Sequence, residues 1–260
     1  MLKSREGAER YRAGRTKLLS FIVLILTWWI VSLLVPSTII PGPWATAKCI
    51  GKILASGDFF FHFYKTMVRV LVGLACSMLL GIIVGTLMGL YQSVEKALDL
   101  WIMVGLTIPG LVYTIFALMW FGLTEFAAIF AISITTFPSI TINVWGGVKD
   151  IDTKLIEMSK IFGASKKKRF FSVVLPQIIP YLFASLRFGL GIIWKVTVIV
   201  EMLGLSSGVG YMLNYWFNLY NMPQVFGWSA IFIIFMLFFE LILIKRLERR
   251  FLVWRPRIRF

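Results

Sequence analysis

The chain contains two cysteines, Cys49 and Cys76, and a single histidine, His62. Two cysteines build no disulfide framework, and one histidine leaves no Cys/His cluster to hold a structural or catalytic metal. Acidic residues are scarce as well: 12 against 27 lysines and arginines, for a net charge of +15. No Gly-x-x-x-x-Gly-Lys-Ser/Thr phosphate loop occurs, so the chain is not itself a P-loop ATPase. No nucleophile with an adjacent base and no paired carboxylates stand out, so an enzyme is not expected. In a soluble protein this basic excess would suggest nucleic acid. Here the cations are almost missing from the apolar runs, so nucleic acid is not the expected partner.

Apolar sequence is what the chain has in abundance. It is 59% hydrophobic, with a mean hydropathy of +0.85, well above the usual share of about half. A hydrocarbon core about 30 Å thick takes around twenty helical residues. Segments at roughly 18–35, 67–90, 98–121, 124–147, 177–203 and 226–244 meet that requirement. The expected fold is therefore all-α and polytopic, with six transmembrane helices in a lipid bilayer. The first segment is too long for the apolar stretch of a secretory signal and no clean small-x-small site follows it, so it reads as an uncleaved span. After it, Pro36-Ser37 and Pro41-Gly42-Pro43 signal turns, and a short amphipathic helix is expected from about Trp44 to Ala55. The organisation is then a basic tail (1–17), a first span with an extracytoplasmic amphipathic segment (18–66), a core transmembrane domain (67–244) containing a cytoplasmic loop (148–176), and a second basic tail (245–260).

Lysine and arginine placement sets the orientation. The amino-terminal tail carries Lys3, Arg5, Arg10, Arg12, Arg15 and Lys17. The 148–176 loop and its edge carry Lys149, Lys154, Lys160, Lys166, Lys167, Lys168 and Arg169, and the second tail is equally basic. With Lys96, these fall on one side of a six-span chain, while Lys48, Lys52 and Lys65 fall on the other. Both termini are expected in the cytoplasm. Positions near Ser37 and Asn218 are expected outside, and Ser165 and Arg250 inside.

Three intramembrane patterns follow. In the second span Gly73, Ser77, Gly81, Gly85 and Gly89 recur every four residues, a ladder that lets another helix approach closely, within the subunit or across an interface. Pro109-Gly110 and Pro138 fall near the middle of spans three and four, where proline removes a backbone bond and crowds the preceding turn. Such breaks mark kinks or substrate paths. Span five holds Arg187, Lys195 and Glu201, each costly at membrane depth. Lys195 and Glu201 are six positions apart and do not face each other. Arg69, on a polar stripe with Asp58, His62 and Lys65, is the expected partner of Glu201, as an ion pair at an outer gate. Arg187 and Lys195 either line a translocation path or are satisfied structurally; with Trp194, Pro109, Tyr113, Pro138 and Asn143 they are the candidates for such a path.

The polar island between spans four and five is the most specific feature. Ile151, Leu155, Met158 and Phe162 place one apolar stripe on a short helix, and Gly163 stands where that helix should end. Ala164 keeps the turn thin, and Leu175-Pro176 opens the next span. A surface helix with a bare apolar face is suited to a docked partner. Residues Glu157 to Ser165 with Leu175-Pro176 resemble the EAA loop of bacterial ABC-importer permeases, on which the ATPase subunit docks. Glu157, Gly163 and Leu175-Pro176 match that motif, while Met158-Ser159 replace its two alanines. Pro109, Trp120-Phe121-Gly122, Phe137-Pro138, Asn143 and Gly147-Val148 resemble permeases of nitrate, sulfonate, taurine and pyrimidine-precursor importers, as does the run through Leu186-Arg187, Gly189, Gly191, Trp194 and Glu201. Tyr113-Thr114 stand where smaller or more apolar residues are expected.

The resemblance implies a type I ABC-importer permease fold in a bacterial cytoplasmic membrane. It assigns ATPase coupling to Leu155, Glu157, Met158, Ser159, Phe162, Gly163, Ala164, Ser165, Leu175 and Pro176. It implies partner ATPase subunits that hold ATP and magnesium, a second permease subunit and an extracytoplasmic solute-binding protein, with no cofactor on this chain. An ion-coupled secondary transporter or channel is the alternative, but such a protein would have no need of the coupling motif.

Overall fold

The computed structural model describes residues 2–240 together with Arg246 and Arg250. The end of the last apolar segment and most of the second basic tail lie outside the described residues. Among the described residues every regular element is helical. The chain divides into two compact units, Met1–Phe60 with Met212–Phe232 and Phe61–Tyr211 with Ile233–Phe260.

The first unit is built on α1 (Leu2–Leu34) and α2 (Pro43–Ser56). The basic segment before residue 18 is helical and continuous with α1. The amphipathic helix expected from Trp44 to Ala55 is α2. Pro43 begins it, where a missing N–H costs nothing, and Thr46, Cys49 and Ile53 turn inward. Trp28 of α1 donates from its indole nitrogen to the Pro41 carbonyl at 3.1 Å and stacks on Phe226 with ring centroids 6.2 Å apart. Phe59 packs on Trp228, and Gly227 lies against Ile53 and Cys49.

The second unit is organised around α6 (Glu125–Lys149), much of whose surface is buried. The small-residue ladder of α3 (Asp58–Leu90) packs on this helix, within the chain. A methyl group at Gly85 would come within 2.7 Å of the Thr141 carbonyl oxygen, and one at Gly81 within 2.7 Å of the Ile140 β-carbon. Only residues without a side chain allow backbones so close. Ser77 fits because its hydroxyl folds back to the Gly73 carbonyl at 2.6 Å.

The two prolines behave differently. Pro138 does not interrupt α6, which stays unbroken and buries the ring beneath Gly105. Hydroxyls of Thr135, Thr136 and Thr141 bond carbonyls four residues back on either side of the proline, so these side chains bring no free hydroxyl into the helix packing. Pro109 does break its segment. Ile108 is extended, as a residue preceding proline prefers, and α4 (Gln92–Thr107) meets α5 (Gly110–Phe121) at 97°. The segment expected as one span at 98–121 is thus a bent pair.

After α6 come α7 (Thr153–Ile161), α8 (Lys166–Arg169), a π-helical turn over Phe170–Val174, and α9 (Leu175–Gly204). The expected loop at 148–176 is therefore largely helical, and the path from Lys166 to Gly204 is continuous. The wide turn ends with the Leu175 N–H reaching back to the Phe170 carbonyl. That slack accommodates Pro176, whose ring would crowd a regular turn. Helices α10 (Val209–Asn218) and α11 (Met222–Phe238) complete the described chain. Asp58–Leu90, Glu125–Lys149 and Lys166–Gly204 are long and apolar enough to cross a membrane, and the bent pair is a fourth if it crosses as one. Shorter apolar helices, Leu18–Leu34 and Met222–Phe238, occupy the first and last of the six expected segments.

Candidate coupling surface and buried ion cluster

The α7 surface is fastened at both ends and bare between them. Asp152 caps its start, accepting from the Lys154 N–H at 2.8 Å. Gln177 of α9 accepts from the Asp152 N–H at 2.8 Å, which ties the entry of α7 to the next helix. At the exit, Gly163 takes φ +67°, the left-handed conformation that glycine adopts without penalty. Its N–H donates to the Lys160 carbonyl and the Ala164 N–H to the Ser159 carbonyl, at 2.9 and 3.0 Å. This is the paired 5→2 and 6→1 bonding of a Schellman cap. Arg169 then donates to the Ser159 hydroxyl and to the Ala164 carbonyl, both at 3.1 Å. Ser165 caps α8 through the Lys168 N–H.

Against that rigid frame the apolar side chains stand in solvent. Leu155 and Met158 are about half exposed, and Ile161 and Phe162 are 85% and 76% exposed. Leu155, Met158, Ser159 and Phe162 form one wall of a groove of about 390 Å³, with Val173, Pro176 and Gln177 opposite. Glu157 is exposed beside it, and Leu175 begins the helix of the far wall. Sequence spacing selected most of this wall. It did not select Arg169 and Gln177, whose long side chains act across turns that only the fold brings together.

The second constellation surrounds Arg69. Its guanidinium is 1% exposed and reaches Glu201, itself fully buried, at 2.7 Å. It also grips both carboxylate oxygens of Glu125 at 2.7 Å each, the bidentate geometry a planar fork favours. The Ser207 carbonyl and hydroxyl accept two further bonds, at 2.7 and 2.9 Å. Glu201 accepts in addition from the Thr66 hydroxyl at 3.0 Å and the Gly210 N–H at 2.9 Å. The turn after α9 is thus sewn to α3: the Val209 N–H donates to Thr66 and the Gly208 N–H to Nδ1 of His62. Glu125 and Ser207 were not selected from sequence. The available signal was a carboxylate at the first turn of an apolar helix, directly after the Thr124 cap.

The remaining intramembrane candidates each have their own neighbours. Tyr113 donates to the Gly105 carbonyl at 3.1 Å, and Asn143 to the Ser139 carbonyl of its own helix at 2.8 Å. Pro138 and Trp194 are buried, the latter edge-on to Phe239, while Pro109 is exposed. Arg187 and Lys195 lie with Phe188 and Gly191 on an exposed face of α9. Arg187 stands 3.7 Å from Glu240, both side chains partly exposed. Among the described residues no cluster of His, Cys, Asp and Glu could hold a metal ion.

The chain is similar to known transport proteins. The taurine transport system permease protein TauC of Escherichia coli (strain K12) is 28% identical over 267 residues, covering 99% of this chain and 97% of its own. The formylaminopyrimidine transport permease protein ThiX of Halalkalibacterium halodurans is 28% identical over 243 residues, covering 91% and 95%. A chain from the crystal structure of an amino acid ABC transporter with histidines superposes with a TM-score of 0.62 at 19% identity, over 77% of this chain and 97% of that one. Residues 77–252 match the family described as the binding-protein-dependent transport system inner membrane component. The chain belongs to that family, the permease subunits of ABC importers.

Proposed function

We propose that this chain forms the translocation path for a small solute delivered by a separate binding protein, and that α7 and its groove receive a partner ATPase. The observation that carries the reading is the α7 frame. Asp152, Gln177, Gly163 and Arg169 hold a short helix rigidly while its apolar side chains remain exposed. Exposed side chains of this size on a fixed helix are an interface awaiting a partner. Fastening to α9 through Gln177 and the Lys166–Gly204 path gives motion of the docked partner a mechanical route into the membrane. ATP hydrolysis belongs to the partner, with its own nucleotide and magnesium.

Relatives named for taurine and for formylaminopyrimidine support a small polar solute. The basic exposed face of α9 favours an anionic or electron-rich one. A second permease subunit, in the simplest case another copy of this chain, would close the path.

The test is co-purification. Gly163→Pro removes the N–H that donates to Lys160, and a bulky residue at Ala164 disturbs the adjoining turn. Both should abolish recovery of a co-expressed ATPase while membrane insertion persists. Recovery of the ATPase at wild-type stoichiometry with both variants would overturn the assignment.

A further inference from the structure

One face of α1 borders a groove of about 1320 Å³ that the coupling surface and the ion cluster leave unused. Its lining runs from Arg15 through Leu19 and Val23 to Trp28 and Val31, and Phe226 closes the far end. Leu19 and Val23 are more than half exposed. The far end is built: Trp28 is fixed by its bond to the Pro41 carbonyl and by its stack on Phe226.

We propose that this groove is a binding site for one anionic phospholipid, with the headgroup phosphate at Arg15 and an acyl chain lying along Leu19 to Val31. Three observations carry the assignment, and none depends on how the ATPase docks. The first is polarity: the lining is basic at one end and apolar beyond it, the pattern of an amphiphile. Thr16 adds a hydroxyl at the basic end, and the two hydroxyls further along are already spent, Ser20 on the Thr16 carbonyl at 2.9 Å and Thr27 on the Val23 carbonyl at 2.8 Å. Such back-bonded hydroxyls ask nothing of a hydrocarbon neighbour.

The second is length. Sixteen residues separate Arg15 from Val31, about 24 Å at about 1.5 Å each. One leaflet, half of a core about 30 Å thick plus its headgroup layer, is close to that. The third is charge. Arg15 lies at the end that the lysine and arginine distribution assigns to the cytoplasm, where basic pockets beside transmembrane helices hold anionic headgroups. The same charge disfavours protein occupants. A second copy in the same orientation would bring Arg15 to Arg15, and residues 241–260 of this chain are themselves strongly basic.

Native mass spectrometry of the full-length chain, released from detergent with equal amounts of phosphatidylglycerol and phosphatidylethanolamine, tests the site. Wild type should retain phosphatidylglycerol over phosphatidylethanolamine by about fivefold, the discrimination one cation near an anionic surface supplies. Arg15→Gln should bring the ratio to about one, whereas Lys96→Gln, the same charge change elsewhere on the basic side, should leave it intact. Val23→Trp, which fills the groove, should remove the bound lipid altogether. A wild-type ratio near one overturns the proposal, as does equal loss with Lys96→Gln. So does a Val23→Trp variant that splits a dimer instead of losing lipid, since the occupant would then be a second copy.

Discussion

The Tyr113 hydroxyl donates to the Gly105 carbonyl, the acceptor that a residue at position 109 would have satisfied had it not been proline. The bend between α4 and α5 thereby keeps its polar backbone satisfied in an apolar setting. A tyrosine at 113 looked out of place beside the smaller residues expected there, and this bond is its structural reason.

Tyr113→Phe should therefore lower stability by about 1 kcal/mol, the net worth of a typical hydrogen bond at a half-buried acceptor. Thermal denaturation of the purified chain in detergent reads it. An unchanged melting temperature would show that the carbonyl finds another donor and would remove this bond as the reason for a tyrosine here.

The Arg69 cluster yields an ordered series of effects. Arg69→Gln leaves two carboxylates and the Ser207 turn without their cation, one carboxylate fully buried, so it should cost about 3–5 kcal/mol. Glu201→Gln should cost less, because Arg69 keeps Glu125 and an amide still accepts from Gly210. Glu125, whose side chain is 54% exposed, should contribute least, within about 1 kcal/mol on replacement by glutamine. The Arg69→Gln, Glu201→Gln double variant should recover part of the Arg69→Gln loss. Strictly additive losses in a double-mutant cycle would remove the direct pairing from the explanation.

How far sequence reached can be argued from these same residues. The apolar stripe and Gly163 were legible because helix period and left-handed glycine are local properties. Arg69 and Glu201 were legible as a pair because each is too costly alone at depth. Glu125 was not, since a carboxylate at a helix start has its own local explanation in the helix dipole and cap. Pro109 and Pro138 were read alike, each as a break near the middle of its span, although only Pro109 is followed by glycine. What surrounds each ring differs in the fold: Tyr113 bonds the carbonyl that Pro109 frees, whereas Pro138 is buried inside an unbroken helix under Gly105. The helical character of 166–174 was hidden for a similar reason: Pro176 reads as a helix start, and only the π-helical turn allows the helix to run through it.

The exposed basic face of α9 separates a transport role from a structural one. Arg187 sits 3.7 Å from Glu240, with both groups partly in solvent, so the pair contributes no more than about 1 kcal/mol to stability. If structure were its purpose, Arg187→Gln and Glu240→Gln should be equally mild in every assay. If Arg187 lines the path, Arg187→Gln should cut uptake of the solute that the binding protein retains by about tenfold, one misplaced charge contact in transit. Expression, melting temperature and ATPase recovery should stay at wild-type levels, and Glu240→Gln should leave uptake nearly intact. Reconstituted vesicles loaded with ATP, with binding protein outside, give the measurement. Wild-type uptake by Arg187→Gln would return this residue to the structural reading and leave Lys195 as the remaining cation on that face.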